Sequence, residues 1–164
     1  MTDDLDRVRD VMSAPVTVVR DHDSVWHALE RFTETGLRHL VVLDDSDRLV
    51  GVLEDRRVLA LWPLEPAVLH RKTVGQLVRS VRTAFAGSPR VHHSAAVPVA
   101  AEIMLQLAVD GLPVVDDDGR VVGIVTGSDL VRSLARTAMT APETVGQAED
   151  GTRQTTTVPL FGPA

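Results

Sequence analysis

The stretch Leu112-Pro113-Val114-Val115-Asp116 decides the fold, because the chain carries a second version of it 72 residues earlier, as Leu40-Val41-Val42-Leu43-Asp44. The segments that follow match at the same offset. They are Arg48-Leu49-Val50-Gly51-Val52-Leu53 and Arg120-Val121-Val122-Gly123-Ile124-Val125. A repeat of this length indicates one supersecondary unit that occurs twice and buries its apolar face against its copy.

Hydrophobic periodicity and turn residues predict the same order of elements in each repeat: helix, strand, helix, strand, strand, helix. In the first repeat these are a helix over residues 5–12, a strand over 16–19, a helix over 24–35, two strands around a turn at 45–47, and a helix over 55–62. In the second repeat they are a helix over residues 74–78, a strand over 90–92, a helix from residue 97, two strands around a turn at 117–119, and a helix over 128–137. Ser24 and Thr73 are the predicted N-caps.

The two opening helices match at an offset of 66 rather than 72, which predicts six extra residues within 79–88 of the second repeat. We therefore divide the chain into a first repeat at residues 5–62, a linker at 63–72, a second repeat at 73–137 and a tail at 138–164. The tail is rich in Thr, Gly, Gln and Pro and is predicted to be mobile. The alternative for the tail is a docking strand over residues 155–161.

The composition narrows the class of protein. The 164 residues are 44% hydrophobic and 24% charged, which is ordinary for a globular protein. A net charge of −6 argues against a nucleic-acid partner, and there is no apolar run long enough to span a membrane. The chain has no cysteine, and its acidic start does not resemble a signal peptide. We expect a cytoplasmic protein.

The segments from Gly111 to Asp116, from Gly119 to Thr126, and Asp129-Leu130 resemble the signature half of a CBS domain, and the first repeat resembles it more loosely through residues 38–44 and 48–53. The resemblance extends over about residues 5–137 and implies an α+β fold of two β-α-β-β-α repeats packed with pseudo-twofold symmetry (a Bateman module). It also implies a homodimer. Such modules bind an adenosine-containing ligand (AMP, ADP, ATP or S-adenosylmethionine) between the repeats and signal to an effector protein. They are not enzymes and require no cofactor.

The second repeat carries the family's ligand motif as Gly123-Ile124-Val125-Thr126-Gly127-Ser128-Asp129. The first amides of the helix that begins near Ser128 lack intrahelical partners and suit a phosphate. Thr126 and Ser128 add hydroxyl donors, and Gly127 lets the backbone come close to a ligand. Asp129 can accept hydrogen bonds from the two hydroxyls of a ribose. The alternative is that residues 126–129 only cap the helix.

The first repeat departs from this motif, because Glu54 stands at the position of Thr126 and Arg57 at that of Asp129. A carboxylate repels phosphate, and a guanidinium cannot accept from a ribose, so we expect one adenosine site in the chain. Two alternatives remain for this half. Either Arg56 or Arg57 supplies positive charge to a polyphosphate, or the half is purely structural and Asp55 is the N-cap of its last helix. Arg38 either faces the cleft between the repeats or is solvated.

By analogy with the family, the adenine would lie between the strand containing Val91 and the stretch that includes Gly111, Leu112 and Pro113. The function predicted from the resemblance and the motif is a regulatory module that senses an adenosine-containing ligand. The alternative is an interaction or dimerisation module without a ligand.

No metal site is predicted. His92 and His93 are adjacent on a strand and should point to opposite faces. The carboxylates of Asp116, Asp117 and Asp118 are interpreted as a solvated turn, with a cation site as the alternative. No catalytic motif is present, so we expect that the chain is not an enzyme.

Overall fold

The computed structural model describes residues 6–61, 65–79 and 88–140. The elements that lie before the second repeat's strands are α1 (Val8–Val11), β1 (Val18–Arg20), α2 (Val25–Thr35), β2 (His39–Leu43), β3 (Leu49–Glu54), α3 (Asp55–Leu59), α4 (Pro66–Arg71) and α5 (Val74–Arg79). They are followed by β4 (Val91–His92), α6 (Val97–Leu107), β5 (Gly111–Val115), β6 (Val121–Thr126) and α7 (Gly127–Thr140). The predicted α+β class is confirmed.

The two sheets have the same topology and the same register. Their strand orders are β1-β2-β3 and β4-β5-β6, each with a parallel pair followed by an antiparallel hairpin. Val42 pairs with Gly51 in one sheet, and Val114 pairs with Gly123 in the other. Each hairpin also has a register shift directly after that pair. The repeat in the sequence is therefore a repeat of the backbone.

Both predicted N-caps are confirmed by side-chain hydrogen bonds. The Ser24 hydroxyl accepts from the backbone N–H of His27 at 3.1 Å. Thr73 and Gln76 form a reciprocal capping box, in which each side-chain oxygen accepts from the other residue's backbone N–H. These local contacts determine where α2 and α5 begin.

The opening helix of each repeat packs in the core of the other repeat. Val8 and Val11 of α1 belong to the apolar cluster formed by β4, β5, β6, α6 and α7. Val74, Leu77 and Val78 of α5 belong to the cluster of the first repeat. The backbone N–H of Val8 donates to the carbonyl of Ala95 at 2.9 Å, which holds α1 against the second repeat. The two repeats are thus joined by two crossed helices.

The predicted linker is partly helical. Pro66 starts α4 from the first-turn position that suits proline, and Leu69 is buried in the core of the first repeat. Helix α7 runs three residues beyond the predicted end, to Thr140. The six extra residues of the second repeat and the proposed tail lie almost entirely outside the described residues.

Candidate functional site

Asp129 is the centre of the candidate site. It occupies the first turn of α7 and is only 4% exposed. Its Oδ2 atom accepts from the backbone N–H of Thr126 at 2.9 Å and from the Thr126 hydroxyl at 2.7 Å. Its Oδ1 atom accepts from Arg132 Nη1 at 2.9 Å. The carboxylate therefore has the contacts of a helix cap, as the structural alternative predicted.

Asp129 also lines a cleft of about 280 Å³ between the two repeats, here called the Asp129 cleft. The first repeat contributes residues 15–17 and 36–39 to its walls, and the second contributes Ile124, Thr126, Ser128 and Arg132. Pro15, Val16 and Leu37 add apolar surface, and two arginines add positive charge. A pocket with apolar walls and a few fixed polar groups is typical of a small-molecule site.

A second cleft of about 390 Å³ adjoins the first and is here called the Asp110 cleft. It is lined by Asp110, Arg38, His39, Val131 and residues 126–128 at the start of α7. Arg38 lines both clefts, so of its two predicted positions the structure supports the one that faces the cleft.

His39 enters both clefts as a neutral ring. Burial lowers its pKa, and the nearby carboxylates of Glu54 and Asp110 offset only part of this effect. The ring also lies against the second repeat, since a Cβ atom placed on Gly111 would come within 3.1 Å of it. His39 therefore fills the junction between the repeats and adds no positive charge there at neutral pH.

The equivalent position in the first repeat is occupied by an ion pair. Glu54 is buried, and its carboxylate accepts from Arg56 Nε, which raises the pKa of Arg56. Arg56 Nη1 also lies 3.8 Å from Asp110 in the second repeat. Helix α3 begins at Asp55, so Glu54 rather than Asp55 holds the N-cap position. Neither Arg56 nor Arg57 lines either cleft, so the geometry favours the structural alternative for this half.

The structure brings some of the predicted site residues together and separates others. Thr126 and Ser128 line both clefts, Gly127 lines the Asp110 cleft, and Asp129 lines the Asp129 cleft. The remaining predicted residues are Arg57, Val91, Gly111, Leu112 and Pro113, and they line neither cleft. Val91, Leu112 and Pro113 are buried in the second repeat. Their part in ligand binding stays a prediction without support from the geometry.

The wall opposite Asp129 was missed because it comes from the other repeat. An antiparallel bridge between Ser13 and Ile124 holds the segment after α1 beside β6, and this brings residues 15–17 next to Thr126. The signal in the sequence was the offset of 66 between the opening helices, which differs from the 72 of the other elements. It indicated that the opening segments are placed independently of the rest of each repeat. Arg132 carried no signal of its own, because it lies outside the quoted motif.

The expectation that His92 and His93 point to opposite faces is wrong. Their ring centroids lie 4.6 Å apart, and both rings approach Asp117. Strand β4 ends at His92 and the chain turns at His93, so the alternation of a strand does not extend to the second ring.

Comparison with known proteins agrees with this architecture. A family model described as the CBS domain matches residues 8–63 and 87–136. Hypoxic response protein 1 of Mycobacterium tuberculosis is 30% identical over 131 residues, which are 80% of this chain and 87% of that protein. The L-aspartate semialdehyde sulfurtransferase of Methanocaldococcus jannaschii is 31% identical over 127 residues, but the match spans only 22% of that protein's length.

Solved structures share the fold. The crystal structure of hypoxic response protein I with two coordinated zinc ions has a TM-score of 0.63 at 29% identity, over 77% of this chain and 98% of that one. CBSX2 in complex with AMP has a TM-score of 0.64 at 33% identity, over 80% and 98%. The CBS pair of MJ0100 with 5′-methylthioadenosine and S-adenosyl-L-methionine has a TM-score of 0.64 at 26% identity, over 81% and 98%.

The fold and the inter-repeat clefts define a paired-repeat module. The chain belongs to the CBS domain family, with two CBS domains in tandem. Within the described part of the chain, every helix is too short or too polar to cross a membrane.

Proposed function

We propose that this chain is a regulatory module that binds an adenosine-containing ligand in the Asp129 cleft and transmits its presence to a partner protein without catalysing a reaction. The observation that carries the proposal is the buried carboxylate of Asp129 on a cleft that both repeats line. A ligand in this position would contact both repeats at once. Its binding would therefore favour one way of packing them over any other.

The walls of the cleft divide into three chemical zones that suit the three parts of a nucleotide. Pro15, Val16 and Leu37 give an apolar surface for a purine ring. The carboxylate of Asp129 suits a ribose. Arg38, Arg132 and the positive end of the 14-residue helix α7 supply positive charge for phosphate.

The hydrogen-bonding capacity of Asp129 sets a condition on ribose binding. Each carboxylate oxygen offers about two acceptor positions. Both positions on Oδ2 are used by Thr126, and one on Oδ1 is used by Arg132. The second ribose hydroxyl is accommodated when Arg132 leaves Oδ1 and turns to the phosphate. The Arg132 side chain is 64% exposed and free to make that movement.

Relatives with the same fold support the ligand class. CBSX2 was crystallised with AMP, and the MJ0100 pair was crystallised with 5′-methylthioadenosine and S-adenosyl-L-methionine. These ligands share an adenosine moiety and differ in what is attached to its 5′ carbon. We therefore propose only the adenosine moiety as the common part of the ligand for this chain.

The competing function is an interaction module without a ligand, in which Asp129 only caps α7. The observation that favours it is the set of hydrogen bonds between Thr126 and Asp129, which is complete without a ligand. The two functions differ in what happens when the carboxylate is changed to an amide, because an amide oxygen still accepts from the backbone N–H of Thr126.

The test measures the thermal stability of the purified protein with AMP, ATP, S-adenosylmethionine and 5′-methylthioadenosine at millimolar concentration. We expect at least one of them to raise Tm, since a ligand that binds only the folded state stabilises it. Asp129→Asn should remove this shift while changing the Tm of the free protein little. The control is Asp23→Asn. The Asp23 carboxylate accepts from the backbone N–H of Arg20, three residues earlier, at 2.7 Å, and it lies outside the clefts.

An unchanged Tm with all four ligands would overturn the proposal. A ligand shift that survives in Asp129→Asn would show that Asp129 acts only as a cap.

We also propose that the chain works as a homodimer and that its output is a contact with an effector protein. Helix α7 supports this proposal with an apolar stripe that faces solvent, made of Val131, Leu134, Ala135 and Ala138.

A further inference from the structure

We propose that His92, His93 and Asp117 form a binding site for one divalent transition-metal ion, with Zn²⁺ as the best match. The Nε2 atoms of His92 and His93 lie 3.0 Å and 3.9 Å from Asp117 Oδ1. One ligand atom from each of the three residues lies within 4.8 Å of the other two. Zinc bonds of about 2.0–2.1 Å at tetrahedral angles place neighbouring ligand atoms about 3.4 Å apart, and the observed distances lie on either side of that value.

The backbone that carries the two histidines is held on both sides. His92 lies opposite Val115 in the parallel pair of β4 and β5. The backbone N–H of His93 donates to the carbonyl of Val115 at 2.9 Å, and its carbonyl accepts from the backbone N–H of Arg9 at 3.0 Å. The backbone positions of both histidines are therefore fixed before a metal ion binds.

The third ligand comes from the turn between β5 and β6, which is also held in place. The carboxylate of Asp116 accepts from the backbone N–H groups of Asp118 and Arg120, at 3.0 Å and 2.8 Å. Asp117 projects from this turn with its side chain 87% exposed, so a hydrated metal ion can reach it. The solvated-turn interpretation agrees with the exposure of Asp117 and Asp118, at 87% and 70% of their side chains, but Asp117 also faces the two rings.

A second contact orients the ring of His92. Its Nδ1 atom lies 2.7 Å from the hydroxyl oxygen of Ser94 and 3.3 Å from the backbone nitrogen of the same residue. In the structure the backbone N–H of Ser94 donates to Nδ1, so Nδ1 is an acceptor there. Metal binding through Nε2 requires the other tautomer, in which Nδ1–H donates to the Ser94 hydroxyl and the bond from the backbone N–H is given up. Metal-binding histidines in proteins usually have such a partner on the other nitrogen.

The first repeat provides an internal comparison at the same register. Arg20 stands where the second repeat has His92, since Arg20 pairs with Leu43 in β2 as His92 pairs with Val115 in β5. The Arg20 guanidinium donates to Asp47 Oδ1 and to the carbonyl of Asp44, both at 2.7 Å. The second repeat has Gly119 at the position of Asp47, so that partner is absent there. His92 faces Asp117 instead, at the position of Asp45 in the first repeat.

The donor set determines the kind of metal. Two imidazole nitrogens and one carboxylate oxygen suit Zn²⁺ and its transition-metal neighbours, whereas Mg²⁺ and Ca²⁺ prefer oxygen ligands alone. The site lies at the Val115 end of β5, and Thr126 pairs with Gly111 at the other end. The ends of this five-residue strand are four residue spacings apart, which is about 13 Å. The metal site is therefore distinct from the Asp129 cleft, and it does not depend on the proposed nucleotide.

The experiment titrates tag-free, EDTA-treated full-length protein with ZnCl₂ by isothermal calorimetry, and with CoCl₂ while the visible absorption of Co²⁺ is followed. We expect one Zn²⁺ per chain. With CoCl₂ we expect a visible absorption spectrum typical of Co²⁺ with a low coordination number. His93→Gln and Asp117→Asn should each weaken binding at least about tenfold. The matched control is Asp45→Asn, because Asp45 stands in the first repeat where Asp117 stands in the second and lies 3.2 Å from His22 Nδ1. This variant should bind Zn²⁺ like the unchanged chain.

The absence of saturable binding overturns the proposal. So does an equal loss in Asp45→Asn, or unchanged affinity in both site variants, since either result shows Zn²⁺ bound at scattered surface histidines. Because Asp117 is exposed, Asp117→Asn is expected to fold. A circular dichroism spectrum equal to that of the unchanged chain confirms that the variant folds. A loss of Zn²⁺ binding is then due to the missing carboxylate.

Discussion

At the residue scale, the carboxylate of Asp129 caps α7 and, in the proposed function, also binds the ribose of a ligand. Its Oδ2 atom accepts from Thr126 at the start of α7, and its Oδ1 atom accepts from Arg132. In the proposed function the Arg132 guanidinium turns from Asp129 to the phosphate of a ligand. The contribution of Arg132 should therefore depend on the charge of the ligand.

Arg132→Met is expected to weaken binding of ATP or AMP by roughly tenfold and to leave binding of 5′-methylthioadenosine nearly unchanged. The reason is that a guanidinium–phosphate hydrogen bond contributes more than about 1.4 kcal/mol, and 5′-methylthioadenosine has no phosphate to accept it. Calorimetric titration of both ligands measures the difference. Arg31→Met is the control, since Arg31 forms a similar pair three residues apart with Glu34, at 3.3 Å on α2. Equal losses for both ligands would mean that Arg132 acts only by positioning Asp129.

At the element scale, the exchange of the opening helices depends on two glycines in equivalent positions of the central hairpins. A Cβ atom at Gly51 would lie 2.6 Å from Val78 Cγ1 of α5. A Cβ atom at Gly123 would meet the side chain of Met12, which follows α1, and the carbonyl of Ser13. Each glycine therefore allows a segment of the other half of the chain to cross the sheet closely.

Gly51→Ala is expected to lower the free energy of unfolding by about 1–3 kcal/mol, the usual cost of overpacking. Val78 is β-branched on a helix and cannot rotate away, so the strain falls on the helix itself. Gly123→Ala should cost less, because the flexible side chain of Met12 can move aside and the carbonyl of Ser13, at 3.2 Å, has to shift only slightly. Urea denaturation measures both values. Gly127→Ala, which has no atom within 4 Å of its new methyl group, is the control and should cause no loss. Equal stability of all three variants would contradict the close crossing.

At the scale of the whole molecule, the two repeats present equivalent apolar positions to solvent. Val131 on α7 is 66% exposed, and Leu59, its counterpart on α3, is 59% exposed. Leu134 lies three residues after Val131 on the same face and is 69% exposed. Trp62, the counterpart of Leu134, lies outside the described residues. An apolar stripe on α7 suits a second copy of the chain.

Leu134→Glu is expected to convert the dimer to a monomer at micromolar concentration, because a carboxylate in the centre of the stripe would be desolvated without a partner. Light scattering during size-exclusion chromatography gives the mass of each species. The control is Leu105→Glu on α6, where the side chain is 83% exposed and lies off the α7 stripe. A monomeric unchanged chain, or a dimeric Leu134→Glu variant, would contradict the proposal.

The repeat, the order of its strands and helices, and the caps at Ser24 and Thr73 were all predictable. They depend on side chains a few residues apart, and a short window of sequence contains them. The motif at residues 126–129 was predictable for the same reason. The helix at Pro66–Arg71 was not predicted, because six residues are too few to show a helical period. It is stabilised by packing of Leu69 in the core of the first repeat.

The sequence by itself determined a tandem of two CBS-type units and one asymmetric half-site, because a repeated pattern of buried residues specifies a repeated backbone. Only the tertiary structure decided what faces that half-site. Residues 15–17 reach Asp129 across more than a hundred residues, through a bridge between Ser13 and Ile124 that no local pattern encodes. The same holds for Asp117 and the two histidines. Contacts of this kind follow from how sheets and crossed helices pack, and packing depends on the chain as a whole.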